Sequence, residues 1–160
     1  AAALYAGFSF DALLTAHKRH HATPAAHGDP DYHDGRHPGF FAWYLHFMRT
    51  YLTWRQLVVM AAVYNLLAHG LGGSEPALLC FWVAPVLLST VQLFTFGTWL
   101  PHRGEHPPGD PLRARSSDLP RWASLLACFH FDYHREHHAR PHVPWWKLPD
   151  QRTSYASEPS

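Results

Sequence analysis

The stretch CFHFDYHREHHARPHVPWW, Cys128 to Trp146, is the place to begin. Inside it His134, His137 and His138 form H-x-x-H-H. On a helix, positions i, i+3 and i+4 share a face, so the spacing predicts three imidazoles pointing one way. His130, one helical turn earlier, is expected on that face too. Neutral imidazole is the commonest metal ligand, and three on one face suit a transition metal. Histidines scattered over a solvated surface are the bland alternative. The same pattern recurs at His17, His20 and His21, in a chain carrying 15 histidines. That repetition favours ligands.

Composition narrows the field. The chain has 160 residues, enough for one domain, and a net charge of +1 gives no electrostatic case for nucleic acid. Cys80 and Cys128 sit in apolar surroundings without a spacing partner, so buried free thiols are expected rather than a disulfide. The opening AAALYAGFSF lacks both a methionine and the basic flank of a signal peptide. It reads as the interior of a longer protein, and residues 1–10 as the exit of a membrane helix.

Along the chain, Asp11 is the expected N-cap of the helix bearing the first cluster, and Pro24 its stop. HGDPDYHDGRHP, 27–38, is loop chemistry. Asp29 and Asp31 are read either as carboxylates holding a metal-bound histidine by its other ring nitrogen, or as a solvated Asp-Pro turn. Phe40, Trp43, Tyr44, Phe47, Tyr51 and Trp54 recur at helical spacing. That stripe suits an aromatic helix at a membrane interface, with a core-facing stripe as the alternative.

From Gln56 to Pro101 there is no Lys or Arg, and the only acidic residue is Glu75. The run 76–100 is long enough for a bilayer, which needs about 20 apolar residues; the run 56–71 is shorter and carries Asn65 and His69. Together they read as a transmembrane hairpin, although mean hydropathy is only −0.24 and a soluble buried hairpin is the alternative. All 13 Lys and Arg lie outside it, so the positive-inside rule places both flanks in the cytoplasm. Two spans return the chain to the side it left. Both clusters then share one membrane face, a condition for a common metal centre. His102, at the cytoplasmic mouth, is taken as a further ligand rather than an interfacial anchor, and His106 as solvated. Trp145, Trp146 and Lys147 suggest another interfacial anchor, and 150–160 a disordered tail.

No H-E-x-x-H is present, so zinc hydrolysis is a minor alternative. A redox metal at the bilayer edge suits O2 attack on an unactivated C–H bond of a lipid-dissolved substrate.

LYAGFSFDALLTAHKRHH, DPDYH, RTYLTWR, QLFTFGTWLPHR, ARSS, SLLACFHF, YHREHH and VPWWKLP run from Leu4 to Pro149. In these stretches the chain resembles the bacterial β-carotene ketolases of the membrane fatty acid desaturase/hydroxylase superfamily. H-x-x-H-H identifies the superfamily; FGTWLPHR with ARSS and CFHF…EHH is more specific. The resemblance implies an all-α integral membrane protein of the bacterial inner membrane. Cytoplasmic histidine-bearing helices would form a di-iron site within a partial desaturase-like domain, 1–149. It implies oxidation of the β-ionone C4 methylene to a ketone, with O2 and a ferredoxin-type donor, through two hydroxylations and loss of water. Products would be echinenone and canthaxanthin, or astaxanthin from a 3-hydroxylated ring. His17, His20, His21, His134, His137 and His138 match the family's second and last histidine motifs, and His102 its isolated extra ligand. His130 matches a ketolase histidine of unassigned sphere. The family's earlier H-x-x-x-H has no counterpart in residues 1–16, so this chain alone is expected to be inactive and its parent product a ketolase. A carotenoid 3-hydroxylase, a fatty acid desaturase and an inactive membrane metal- or carotenoid-binding fragment are the competing readings.

Overall fold

The computed structural model describes residues 9–155, and every regular element among them is helical. The expectation for residues 1–10 lies almost wholly outside that range. Helix α1, Phe10–Ala22, starts at Ser9, whose hydroxyl accepts from the Ala12 amide at 3.4 Å. Ser9, not Asp11, is the cap because its backbone is extended (φ −83°, ψ 119°). Asp11 sits one step inside, its charge facing the positive end of the helix.

The expected single aromatic helix is two: α2, Phe40–Tyr51, and α3, Trp54–Asn65. The break is a capping box. Thr53 accepts from the Gln56 amide through its hydroxyl, and the Gln56 side chain accepts from the Thr53 amide. The aromatic stripe of α2 also faces inward. Trp43 and Phe47 pack with Phe94 as the buried core, joined by Phe40, Tyr44, Met48, Tyr51 and Trp99. Phe41 and Leu45, on the other face, stay exposed. The core-facing reading therefore holds for most of the stripe, while Trp54 is exposed.

Helix α3 ends in a π-type turn, Leu66–Gly70, and the chain reverses through Gly72 at φ +66°. Helix α4, Glu75–His102, is 28 residues long. Two of its turns widen to π geometry, Leu79–Val83 and Phe94–Trp99. Each contains the position four residues before a proline, Pro85 or Pro101. That proline offers no amide to the carbonyl there and its ring crowds it, and the widened turn relieves both effects. Tyr64 stacks on Trp82 across the reversal, 6.3 Å between centroids. Tyr44 meets Thr90 at 2.6 Å; the Thr90 hydroxyl donates to Leu87, so Tyr44 is the donor.

Among the described residues α4 is the one helix long and apolar enough to cross a membrane, and only 17% of its most apolar window is buried. Phe81, Leu87, Leu88 and Val91 lie uncovered, as do Leu57, Val58 and Leu66 of α3. A core helix of a soluble protein would be covered instead. Cys80 is exposed on this surface, contrary to expectation, while Cys128 is buried; both are free thiols.

After α4 the chain wraps back irregularly to α5, Arg121–Cys128. Two residues in the left-handed region, Phe129 (φ 50°) and His130 (φ 63°), end α5. Helix α6 is only His134–Ala139. His130 therefore lies outside the helix and off its ligand face. A 3-10 turn, Trp145–Lys147, leads into α7, Leu148–Tyr155. Residues 150–155, expected in a disordered tail, are thus helical. Arg152 explains this by bonding Glu136 at 3.2 Å and the Ser117 carbonyl at 2.6 Å.

Candidate metal centre

Helices α1 and α6 face each other with the end of α4 beside them, and their imidazoles fall into two sets. The first is His20, His102, His134 and His138, all buried. The second is His17 and His21, which keep some surface, with His137. Within each set the ring nitrogens lie within 4.8 Å of one another. Each H-x-x-H-H motif is divided between the sets. Its i and i+4 histidines, His17 with His21 or His134 with His138, stay together, and its i+3 histidine crosses over. The expectation of three ligands from one motif pointing one way is corrected accordingly. The i+3 position is rotated about 80° from the bisector of its two companions at 100° per residue, enough to reach the neighbouring set.

The outer nitrogens fix the inner ones. His20 Nδ1 donates to the Asp29 carboxylate at 2.9 Å, leaving Nε2 with a bare lone pair 3.0 Å from His138 Nε2. Asp29 is itself held by the amides of Ala25 (2.8 Å) and Asp31 (2.9 Å). Asp31 lies 3.7 Å from His20 and accepts from the Tyr51 hydroxyl. His102 Nδ1 donates to the Arg113 carbonyl at 2.8 Å, which turns its Nε2 toward His134 Nε2 at 3.0 Å. At 3.0 Å His138 and His134 can each give the facing Nε2 a proton or, without it, share a cation with it. The donor set, imidazole nitrogens without thiolate, suits a transition metal. In the second set, His21 Nε2 lies 3.1 Å from His17 Nε2 and 3.0 Å from His137 Nε2. Three imidazoles leave coordination positions open there.

Electrostatics keep most of these rings neutral, the form that binds metal. Burial, then the neighbouring imidazoles, lowers His21 to about 3 and His137 to about 4. The same causes press His134 and His138 further down. His20 goes the other way. Burial opposes its charge, but the Asp29 hydrogen bond and the charges of Asp31 and Asp29 raise it.

His130 belongs to neither set. Its Nδ1 meets Ser124 Oγ at 2.8 Å, and Ser124 also bonds Asp132. Asp132 takes a second bond from Ser117, so this network pins the left-handed turn ahead of His134. His106, expected in solvent, is half-buried, with Nε2 3.3 Å from the His102 carbonyl. Phe131 lies 5.6 Å from His134 and 5.4 Å from His137, between ring centroids, and its other side fills the notch at Gly97. Sequence reasoning missed Glu136, Arg152 and the Arg113 carbonyl. Glu136 is buried on the ligand helix and accepts from Ser116 and Arg152. A carboxylate within a histidine motif was a readable signal; a backbone carbonyl carries none.

The sequence profile of the fatty acid desaturase family matches residues 48–157, most of the chain. The chain belongs to the fatty acid desaturase family. Among curated relatives, a β-carotene ketolase from a Paracoccus species is 44% identical over 155 residues, covering 94% of this chain and 61% of that protein. A zeaxanthin 4-ketolase from Chlamydomonas reinhardtii is 40% identical over 157 residues, covering 95% of this chain and 35% of that protein. A β-carotene ketolase from Haematococcus lacustris is 38% identical, covering 93% and 48%. The chain therefore spans less than two thirds of the length of these relatives. No solved structure matches it significantly. Family membership and the two histidine sets together indicate a metal site in this desaturase-family chain.

Proposed function

We propose that the protein containing this chain is a di-iron carotenoid ketolase. It would convert the C4 methylene of a β-ionone ring to a ketone, with O2 as co-substrate and electrons from a ferredoxin-type donor. The observation that carries the reading is the pair of interleaved histidine sets. Relatives named β-carotene ketolase and zeaxanthin 4-ketolase support the substrate class. His20, His102, His134 and His138 would hold one iron, and His17, His21 and His137 the other. Two bound irons supply the activation of O2 that an unactivated C–H bond requires. The chain's own residues prepare the place. Asp29 and the Arg113 carbonyl orient His20 and His102 through their Nδ1 protons. Phe131 presents an apolar ring beside both sets.

Helix α4 would span the bilayer, with α3 and its π-type turn as the shorter arm of a hairpin. By the positive-inside rule, Lys and Arg on both flanks would put the histidine sets on the cytoplasmic face of a bacterial inner membrane. Residues 1–149 would form part of the desaturase-like domain.

The test is a pigment profile. The complete reading frame containing this chain is expressed in a bacterial host that accumulates β-carotene, and pigments are identified by absorption and mass. New species in which one oxygen replaces two hydrogens, lost on His137→Ala, are the expected result. Products with only an added oxygen would make the protein a hydroxylase. Unchanged β-carotene beside folded, iron-loaded protein would overturn the substrate.

A further inference from the structure

Helix α5 ends in a way that leaves nothing for water to do. The last carbonyls of a helix lack intrahelical partners and are ordinarily solvated or capped. In α5 the Leu125 carbonyl accepts from the Phe129 amide at 2.9 Å, and that of Cys128 from the Phe131 amide at 2.8 Å. The two between them, Leu126 and Ala127, accept from one side-chain amide, Gln92 Nε2, at 3.3 and 2.5 Å. Gln92 is a polar residue within the longest apolar helix. At 1.5 Å per residue it lies about 15 Å along the axis from His102. Polar side chains at such a depth are costly unless they bond, and hydrocarbon tolerates non-continuing backbone only where every group is paired. Meanwhile α5 exposes Trp122, Leu125 and Leu126, and Phe129 is exposed just past its end. Val91 and Leu93, on either side of Gln92 in α4, are exposed as well.

We infer that α5 is a re-entrant helix held below the membrane surface by Gln92, its outer face in contact with lipid hydrocarbon. The inference rests on the reading of α4 as membrane-spanning. It places the polypeptide between α4 and the last histidine motif inside the acyl layer. The turn at Phe129–His130 is then where the chain climbs back to the metal centre. Arg121 at the start of α5 marks the level of the headgroups.

The test uses protein from the complete reading frame, reconstituted in phosphatidylcholine vesicles, with Cys80→Ser and Cys128→Ala as background. Spin labels are attached through Leu126→Cys on α5, Leu88→Cys on α4 and Glu105→Cys in the wrapping segment. Collision with O2, which concentrates in lipid, is compared with collision with a water-soluble nickel chelate. The expected result is that position 126 matches position 88, favouring O2, while position 105 favours the chelate. Position 126 behaving like 105 while 88 remains in lipid would overturn the inference alone. Position 88 behaving like 105 would remove the spanning reading and the inference with it. Gln92→Leu then asks what holds α5 in place. The label at 126 is expected to shift toward the chelate, and an unchanged ratio would overturn the role of Gln92.

Discussion

Asp29 sets what His20 can do. Its carboxylate takes the Nδ1 proton of His20, and two backbone amides hold it still. Replacing Asp29 by alanine frees the imidazole to rotate and to change tautomer. Metal affinity is expected to fall 10–100-fold, about what loss of such an outer partner costs, with the seven histidines intact. Chelator competition on purified protein measures this, and Asp29→Asn, which keeps one carbonyl acceptor, is expected to fall between. The sequence left Asp29 open between ligand support and a solvated turn. What decides is Ala25, whose left-handed backbone (φ 50°) curls the loop so that its amide meets Asp29. No propensity announces a left-handed alanine. Arg113 is the same case at φ 40°: its carbonyl orients His102, and any residue has a carbonyl.

At the scale of elements, α6 is too short to stand alone. Isolated helices below about 12 residues are marginal in water. What fixes α6 is its surroundings. Arg135 bonds Asp110 at 2.7 Å, tying α6 to the wrapping segment. Arg152 of α7 bonds Glu136, caps the Ser117 carbonyl and lies over the Tyr133 ring at 4.4 Å. Arg152→Ala leaves the Glu136 carboxylate buried without its cation. The expected loss lies between the ~1 kcal/mol of an exposed pair and the ~3–5 kcal/mol of a buried one. Thermal unfolding in detergent measures it. Arg152→Lys is expected to recover part, since it restores the charge but not the planar fork. Helix periodicity made the existence of α1, α2 and α4 readable. Their ends were less so, because Thr53–Gln56 capping and the proline-widened turns of α4 are local events inside apolar runs. The extent of α6 was unreadable, because long-range partners set it.

For the molecule as a whole, seven imidazoles packed together make the apoprotein sensitive to acid. His21 and His137 are held at about 3 and 4, against 6.5 in the unfolded chain. Between those values the unfolded chain binds protons that the folded one refuses. The stability these two confer is therefore complete above pH 6.5 and declines as the pH falls toward 4 and then 3. His20, raised, acts in the opposite sense but is one group against several. The apoprotein melting temperature is expected to drop steadily from pH 7 to pH 5, and bound metal to lift the whole curve. The repetition of the motif pointed to a shared centre, and each set does draw on both motifs. It did not show how they divide, since that depends on the angle at which α1 meets α6.

That division bears on how the centre fills. Because His20 and His137 each cross to the other motif's set, the first ion to arrive clasps both helices and pre-arranges the second position. The entropy of bringing α1 and α6 together is lost once, on the first occupancy, so the second proceeds more favourably. A titration with ferrous ion is then expected to be steeper than a single-site curve. When metal is scarce, a population of these molecules would divide into complete and empty members, with few half-filled ones between. Scarcity would then lower the number of filled molecules and leave the filling of each unchanged.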